Sequence, residues 1–367
     1  MNRIGKLLKH FTVRQMAGLL VGICCLLIWT GLTCFVSIKK SGLSDQKAAE
    51  RWSSEKDSAQ LSCFFTMDQK VDESRIKEFQ YHLNTILKEA SLTAENELAR
   101  PWLDAYSAQG SVLLEGSRQS LEAQAIGIGG DFFFFHPLQL LTGSYFSGSD
   151  LMQDKILLDE DAAWQLFGSN DIAGMQVNIA GIPHYVAGVI RREDSYFHKE
   201  AGLKETTVYV SYETLSRLGT TQGINTYEII MPNPVRDFAA GKVREKFGID
   251  EKHMQVVENS DRYSLESLLT VLSEFGIRSM NFHGILYPYW ENVARGWEDV
   301  FAWIGMLQAA SLIIPLILCG LGILAAWRKR RWNREDVQRV LSAVREKGAE
   351  ILQKQKNKWR HVLKGRE

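Results

Sequence analysis

The side chains that could do chemistry are scattered along this chain rather than gathered into a signature. Asp159, Glu160 and Asp161 form an acidic triplet that could hold a cation. Acids in a first helical turn also complement the helix dipole, and an apolar-periodic segment follows directly. Gly127, Gly129 and Gly130 approach a dinucleotide-binding glycine loop, but Phe132 occupies its third glycine position. No H-E-x-x-H, C-x-x-C or G-x-x-x-x-G-K-[ST] occurs. The eight histidines lack ligand spacing, and His136 and His184 read as loop or sheet residues. Cys63 reads as a small buried residue in a strand. These residues give no basis for an enzyme, a metal or a cofactor.

The elements that must position such contacts begin with two uncharged runs. Met16–Ile38 spans 23 residues, roughly 35 Å as a helix, against about 30 Å of hydrocarbon. Phe301–Trp327 spans 27 residues and contains Pro315. Both read as transmembrane helices, the first as a retained anchor rather than a cleaved signal. The chain has 43 basic and 43 acidic side chains, yet its zero net charge is a cancellation. Residues 1–15 carry +4, residues 328–367 carry +9 with 14 basic and 5 acidic groups, and residues 41–300 carry −15. Positive flanks place both termini in the cytoplasm and residues 39–300 outside a cell (plasma or inner) membrane, with Lys39 and Lys40 as a weaker opposing signal.

The external segment reads as α+β. A strand at 61–68 precedes an amphipathic helix at 72–90, with Ile76, Phe79, Leu83, Ile86 and Leu87 on one stripe. Strands at 111–116 and 121–128 follow. A later group has a strand at 226–232, a helix at 235–248 and a strand at 253–259. This βαβ…βαβ order suggests a split ferredoxin-like subdomain interrupted by a strand-rich insertion at about 129–222. The insertion is expected to hold a strand at 155–160, a short helix ended by Gly168, a hairpin turning at Ala180 and Gly181, and a strand at 206–215. Segment 262–276 reads as an amphipathic helix, and 277–299 as a membrane-proximal stalk.

Within the insertion, Leu157 to Gly168, then Gly174, then Val186 to Val189 form the phrase "strand, acidic-Ala helix, Leu-Phe-Gly, loop, Gly, strand, Val-x-Gly-Val". Gly143, Tyr145 and Phe146 precede it. This resembles the periplasmic core domain of MacB/FtsX-like ABC transporter permeases, over roughly residues 1–327. The resemblance implies a permease-like membrane subunit, without catalytic residues of its own, that couples a separate ABC ATPase to the external domain. Such permeases have four spans. Here the expectation is two spans, the last two being replaced by a basic tail, with a fuller permease or self-association completing the membrane unit. The alternative is a non-transporting adaptor or sensor that binds an external ligand or protein.

The run Phe132, Phe133, Phe134 and Phe135 reads either as a strand or turn whose rings are shared between two subdomains or as an exposed contact surface for a partner or lipid tail, and Trp290 and Trp297 suit an interfacial stalk. In the tail, Val337, Leu341, Val344 and Trp359 recur at helical spacing opposite Lys and Arg. That pattern suits a cytoplasmic amphipathic helix on anionic lipid or on a partner. Nothing but charge suggests nucleic acid.

Overall fold

A computed structural model describes residues 13–53, 57–92, 100–203, 205–278 and 285–329. The expected basic segment at 1–15 lies largely outside these residues, and so does the tail beyond Lys329, with Val337, Leu341, Val344 and Trp359. The chain divides into two units, one of residues 35–305 and one formed by the stretches on either side.

Among the described residues, two helices are long and apolar enough to cross a membrane. Helix α1 is Val13–Ser41. The other, α10, is Tyr289–Lys329, a single helix that includes both the expected stalk end and the expected span. In the flanking unit, Gln308 Nε2 donates to Thr33 Oγ1 at 2.9 Å.

The unit of residues 35–305 is built on one continuous sheet. Its strands are β1 Ser58–Phe65, β2 Leu103–Glu115, β3 Ser120–Gly130, β4 Leu140–Gly143, β5 Lys155–Asp159 and β6 Gln176–Ile179. They continue with β7 Ile182–Ile190, β8 Thr207–Ser211, β9 Thr220–Thr221, β10 Thr226–Pro232 and β11 Met254–Glu258. The order is β11-β1-β10-β2-β3-β8-β5-β7-β4, with β6 bridging β2 and β7, and β9 on β2. Strands β11, β1, β10 and β2 each run antiparallel to their neighbour. Helix α3, Glu73–Glu89, connects β1 to β2, and α8, Phe238–Phe247, connects β10 to β11. The side chain of Asp72 caps α3 by accepting from Arg75 N at 3.0 Å.

The long β2–β3 hairpin, paired from Ala105–Gly130 to Glu115–Ser120, carries the sheet from these strands into the inserted ones. There, α5 (Glu160–Leu166) and α7 (Tyr212–Leu218) cover a core that includes Ile156, Leu158, Val186, Val208 and Leu215. The strand expected at 206–215 stops at Ser211. The Ser211 hydroxyl accepts from Thr214 N at 3.1 Å and so starts α7. The acidic triplet is used locally. Asp159 caps α5 through Ala162 N at 2.7 Å, also accepts from Thr207 N at 2.9 Å, and pairs with Arg192. Asp161 pairs with Arg192 Nη1 at 2.7 Å.

Period-2 alternation gives β1 two different faces, both buried. Ala59, Leu61, Cys63 and Phe65 face α3 and α8, joined by Tyr227, Ile229 and Met231 of β10. The intervening residues Gln60 and Ser62 of β1, with Glu228 of β10, are polar and equally buried. What covers that second face is the membrane-proximal chain.

Candidate functional site: a buried polar clamp

Buried polar groups are costly unless partnered, so Gln60, Ser62 and Glu228 demand partners. Two segments supply them. The first follows α1: a 3₁₀ turn, Ser44–Lys47, then α2, Ala48–Trp52. Gln60 Nε2 donates to the Asp45 carbonyl at 2.5 Å, and Gln60 Oε1 accepts from Ala48 N at 2.8 Å. The second segment runs from Asn259 into α10. Glu228 Oε1 accepts from Ser62 Oγ at 2.8 Å, and Ser62 Oγ accepts from Asn259 Nδ2 at 2.7 Å.

Asn259 leads to the strongest feature. Arg262 Nη1 donates to Asn259 Oδ1 at 3.0 Å and to Glu291 Oε2 at 2.6 Å. Arg262 Nη2 donates to Glu291 Oε1 at 2.7 Å, which makes the pair bidentate. Arg262 Nε reaches Glu298, and Arg295 Nε donates to Glu291 Oε1 at 2.7 Å. Glu291, Arg295 and Glu298 are spaced i, i+4, i+7, so the first turns of α10 present all three on one face. Arg262, Glu291 and Glu298 are only 4%, 2% and 5% exposed. Burial works against the Arg262 charge, but Glu291 beside it outweighs that cost and holds the guanidinium pKa above its ordinary value.

The other end of the chain of contacts is His136. Its Nε2 meets Glu228 Oε2, and its Nδ1 faces Asp45 Oδ1 at 3.5 Å, beyond good hydrogen-bond geometry. Burial opposes its protonation, but Glu228 and Asp45 prevail and raise it to about 10. His136 is therefore an imidazolium at neutral pH, held between a strand carboxylate and the segment that follows α1. Its ring packs on Trp290, with centroids 4.4 Å apart.

These contacts decide where the expected surface residues go. Phe132–Phe135 form one short helical turn, α4. Phe132 and Phe135 are buried, and Trp290 is buried with them, its ring edge-on to Phe132 at 5.6 Å. This corrects the contact-surface reading of those three and leaves the phenylalanine rings shared in a core. The rings fill an apolar cluster with Ala48, Ile128, Leu157 and Tyr209, so they are core rather than surface. Phe133 and Phe134 are half-buried: Phe133 stacks on Tyr145 at 4.6 Å, and Phe134 lies under the Arg51 guanidinium at 5.5 Å. Trp297 is also half-buried, 5.1 Å from Phe197 of the short helix α6, Tyr196–Glu200, and 5.6 Å from Lys39 Nζ. The structure thus joins Phe132, Phe135 and Trp290 in one apolar cluster, with His136 against the Phe132 and Trp290 rings, while Trp297 stands apart beside Lys39.

Arg262, Glu291, Glu298, Glu228 and Asn259 escape sequence reading because a buried ion pair looks like surface charge. The available signal was the heptad-spaced Glu291, Arg295 and Glu298 immediately before an uncharged run. As chemistry, the clamp consumes its own charges. It fastens two membrane-proximal segments to one sheet face.

A family model described as the MacB-like periplasmic core domain matches residues 58–242. Two curated relatives are named Macrolide export ATP-binding/permease protein MacB. The one from Chromobacterium violaceum is 29% identical over 129 residues, 34% of this chain and 19% of the relative. The one from Agrobacterium fabrum is 28% identical over 127 residues, 33% of this chain and 19% of the relative. The matched stretch thus spans about a fifth of each relative's length. Among solved structures, the periplasmic region of MacB from Actinobacillus actinomycetemcomitans aligns with TM-score 0.40 and 16% identity, covering 60% of this chain and 94% of that one. The extracellular domain of YknZ, a noncanonic ABC-type transporter from Gram-positive bacteria, aligns with TM-score 0.34 and 18% identity, covering 54% and 99%.

Proposed function

Because this chain belongs to the MacB-like periplasmic core domain family of MacB/FtsX-like permeases, we propose that it is a transporter-associated membrane subunit coupling a separate cytoplasmic ATPase to an extracytoplasmic domain. One observation carries this reading. The segment after α1 and the first turns of α10 are both fastened to the same sheet face through Asp45, His136, Glu228, Arg262 and Glu291. A change in how the two helices are held would then reach the strands through charged contacts that are costly to break singly.

The topology that fits has both termini in the cytoplasm and residues 39–300 outside. The basic run Arg328–Arg331 and the net +9 beyond Trp327 support it. The strands β11-β1-β10-β2, with a helix between β1 and β2 and another between β10 and β11, support the split ferredoxin-like reading. Residues of about 129–222 are then its insertion. Half-buried Phe133, Phe134 and Trp297 are the remaining contact points for a fuller permease or a second copy. The names of the curated relatives include both ATP-binding and permease, and the presence of an ATPase beside this chain is tested by affinity purification in mild detergent. Recovery of an ABC ATPase chain supports the reading. Recovery of the chain without any ATPase or permease would sink it.

A further inference from the structure

Helix α9, Leu265–Arg278, plays no part in the clamp, and it leaves large apolar side chains in the open. Leu265 is 76% exposed, Leu269 57% and Phe275 45%. At about 100° per residue, Val271, Phe275, Leu268, Leu272, Leu265 and Leu269 share an arc of roughly 160°. Only the Val271 edge of that arc is buried. Glu266, Thr270, Ser273 and Glu274 occupy the other side, and Glu266 is turned to Arg236 at 2.9 Å.

The position of α9 identifies what covers the open edge. Phe275 packs edge-on against Trp303, with ring centroids 6.1 Å apart. Trp303 is the third residue of the uncharged run that begins at Phe301, and it is 54% exposed. Its neighbours are interfacial in kind. Tyr263, two residues before α9, packs on Phe301 at 5.2 Å and lies 5.7 Å from Lys40 Nζ. Lys39 Nζ lies 5.6 Å from the Trp297 ring. Aromatic rings and lysines gathered next to the start of an apolar run are what a headgroup layer receives. We infer that α9 lies in the outer surface of the lipid bilayer, with Leu265, Leu269 and Phe275 in the acyl-chain boundary and Lys39 and Lys40 at the headgroup phosphates.

This inference rests on α10 crossing the membrane, so the test reads both. Cys24, Cys25, Cys34 and Cys319 are replaced by alanine in the full chain, and buried Cys63 is kept. Leu269→Cys, Glu274→Cys and Leu316→Cys are each labelled with an environment-sensitive dye in phosphatidylethanolamine–phosphatidylglycerol vesicles. The expected result at Leu269 is blue-shifted emission, loss of signal when the lipids are brominated near the top of the acyl chain, and protection from aqueous iodide. Glu274, on the polar side, should stay open to iodide and untouched by brominated lipid. Leu316 should respond to bromine placed deep in the chain. If the Leu269 label behaves like the Glu274 label while Leu316 reads lipid, the surface position of α9 is overturned and the span stands. If Leu316 also reads water, both fall.

Discussion

Replacing Arg262 by methionine tests whether the clamp is what fastens α10. Arg262 makes a bidentate pair with Glu291 at 2.6 and 2.7 Å and also reaches Glu298, all within a site almost closed to water. Arg262→Met leaves two buried carboxylates facing an apolar stem. Breaking one partner out of a buried pair costs about 3–5 kcal/mol. Arg295 still donates to Glu291, so the lower end applies, about 3 kcal/mol. For a domain of this size that is a fall in Tm of roughly 6–12 °C. The assay is thermal unfolding of the full chain in mild detergent, followed by circular dichroism. The triple variant Arg262→Met, Glu291→Met, Glu298→Met removes the stranded charges and should recover most of the loss. If Arg262→Met alone shifts stability by less than about 1 kcal/mol, the pair behaves like a surface ion pair, and the fastening role is refuted.

The other expectations are more local. His136 is raised to about 10 in the folded chain, against about 6.5 unfolded. A raised basic group stabilises fully below the unfolded value and loses that contribution as pH climbs through the folded one. The Tm should therefore fall between about pH 6.5 and 10, and His136→Gln should flatten that slope; an equal slope in the variant would contradict the assignment. Burial first, and then the Glu228 carboxylate, push the Cys63 thiol up, so it stays protonated. Maleimide should leave Cys63 unmodified in the native chain and modify it after denaturation in detergent, and native labelling would count against the two-faced burial of β1. A Cβ at Gly129 would lie 2.0 Å from the Tyr106 ring, whose hydroxyl donates to Glu73 at 2.7 Å. Gly129→Ala should cost about 1–3 kcal/mol in denaturant unfolding, and an unchanged midpoint would show that the ring is not held there.

Much of the fold was legible because it rests on periodicity. The stripe Ile76, Phe79, Leu83, Ile86 and Leu87 is the buried face of α3. The turn at Ala180 and Gly181 has positive φ at both residues, 50° and 77°, as a two-residue hairpin requires. Periodicity fails where a strand is buried on both faces or carries polar residues. The N-terminal half of β2 was missed because Ser107, Gln109 and Gly110 interrupt its apolar pattern. The clamp was missed for a related reason. Burial turns Glu228 and Arg262 from solvated charges into fasteners, and burial is a property of the tertiary fold. The four phenylalanines left a shared core and a contact surface both open in the sequence, and the turn that seats them points Phe132 and Phe135 inward toward Trp290.

The central claim, that nucleotide events at a separate ATPase reach the external domain through this clamp, is tested most directly by hydrogen–deuterium exchange on the purified complex. With the ATPase present, MgATP should change exchange in β1, β10 and the first turns of α10, and the Arg262→Met variant should lose that response. Exchange in these elements that is indifferent to nucleotide, with the ATPase bound and hydrolysing, would contradict the account.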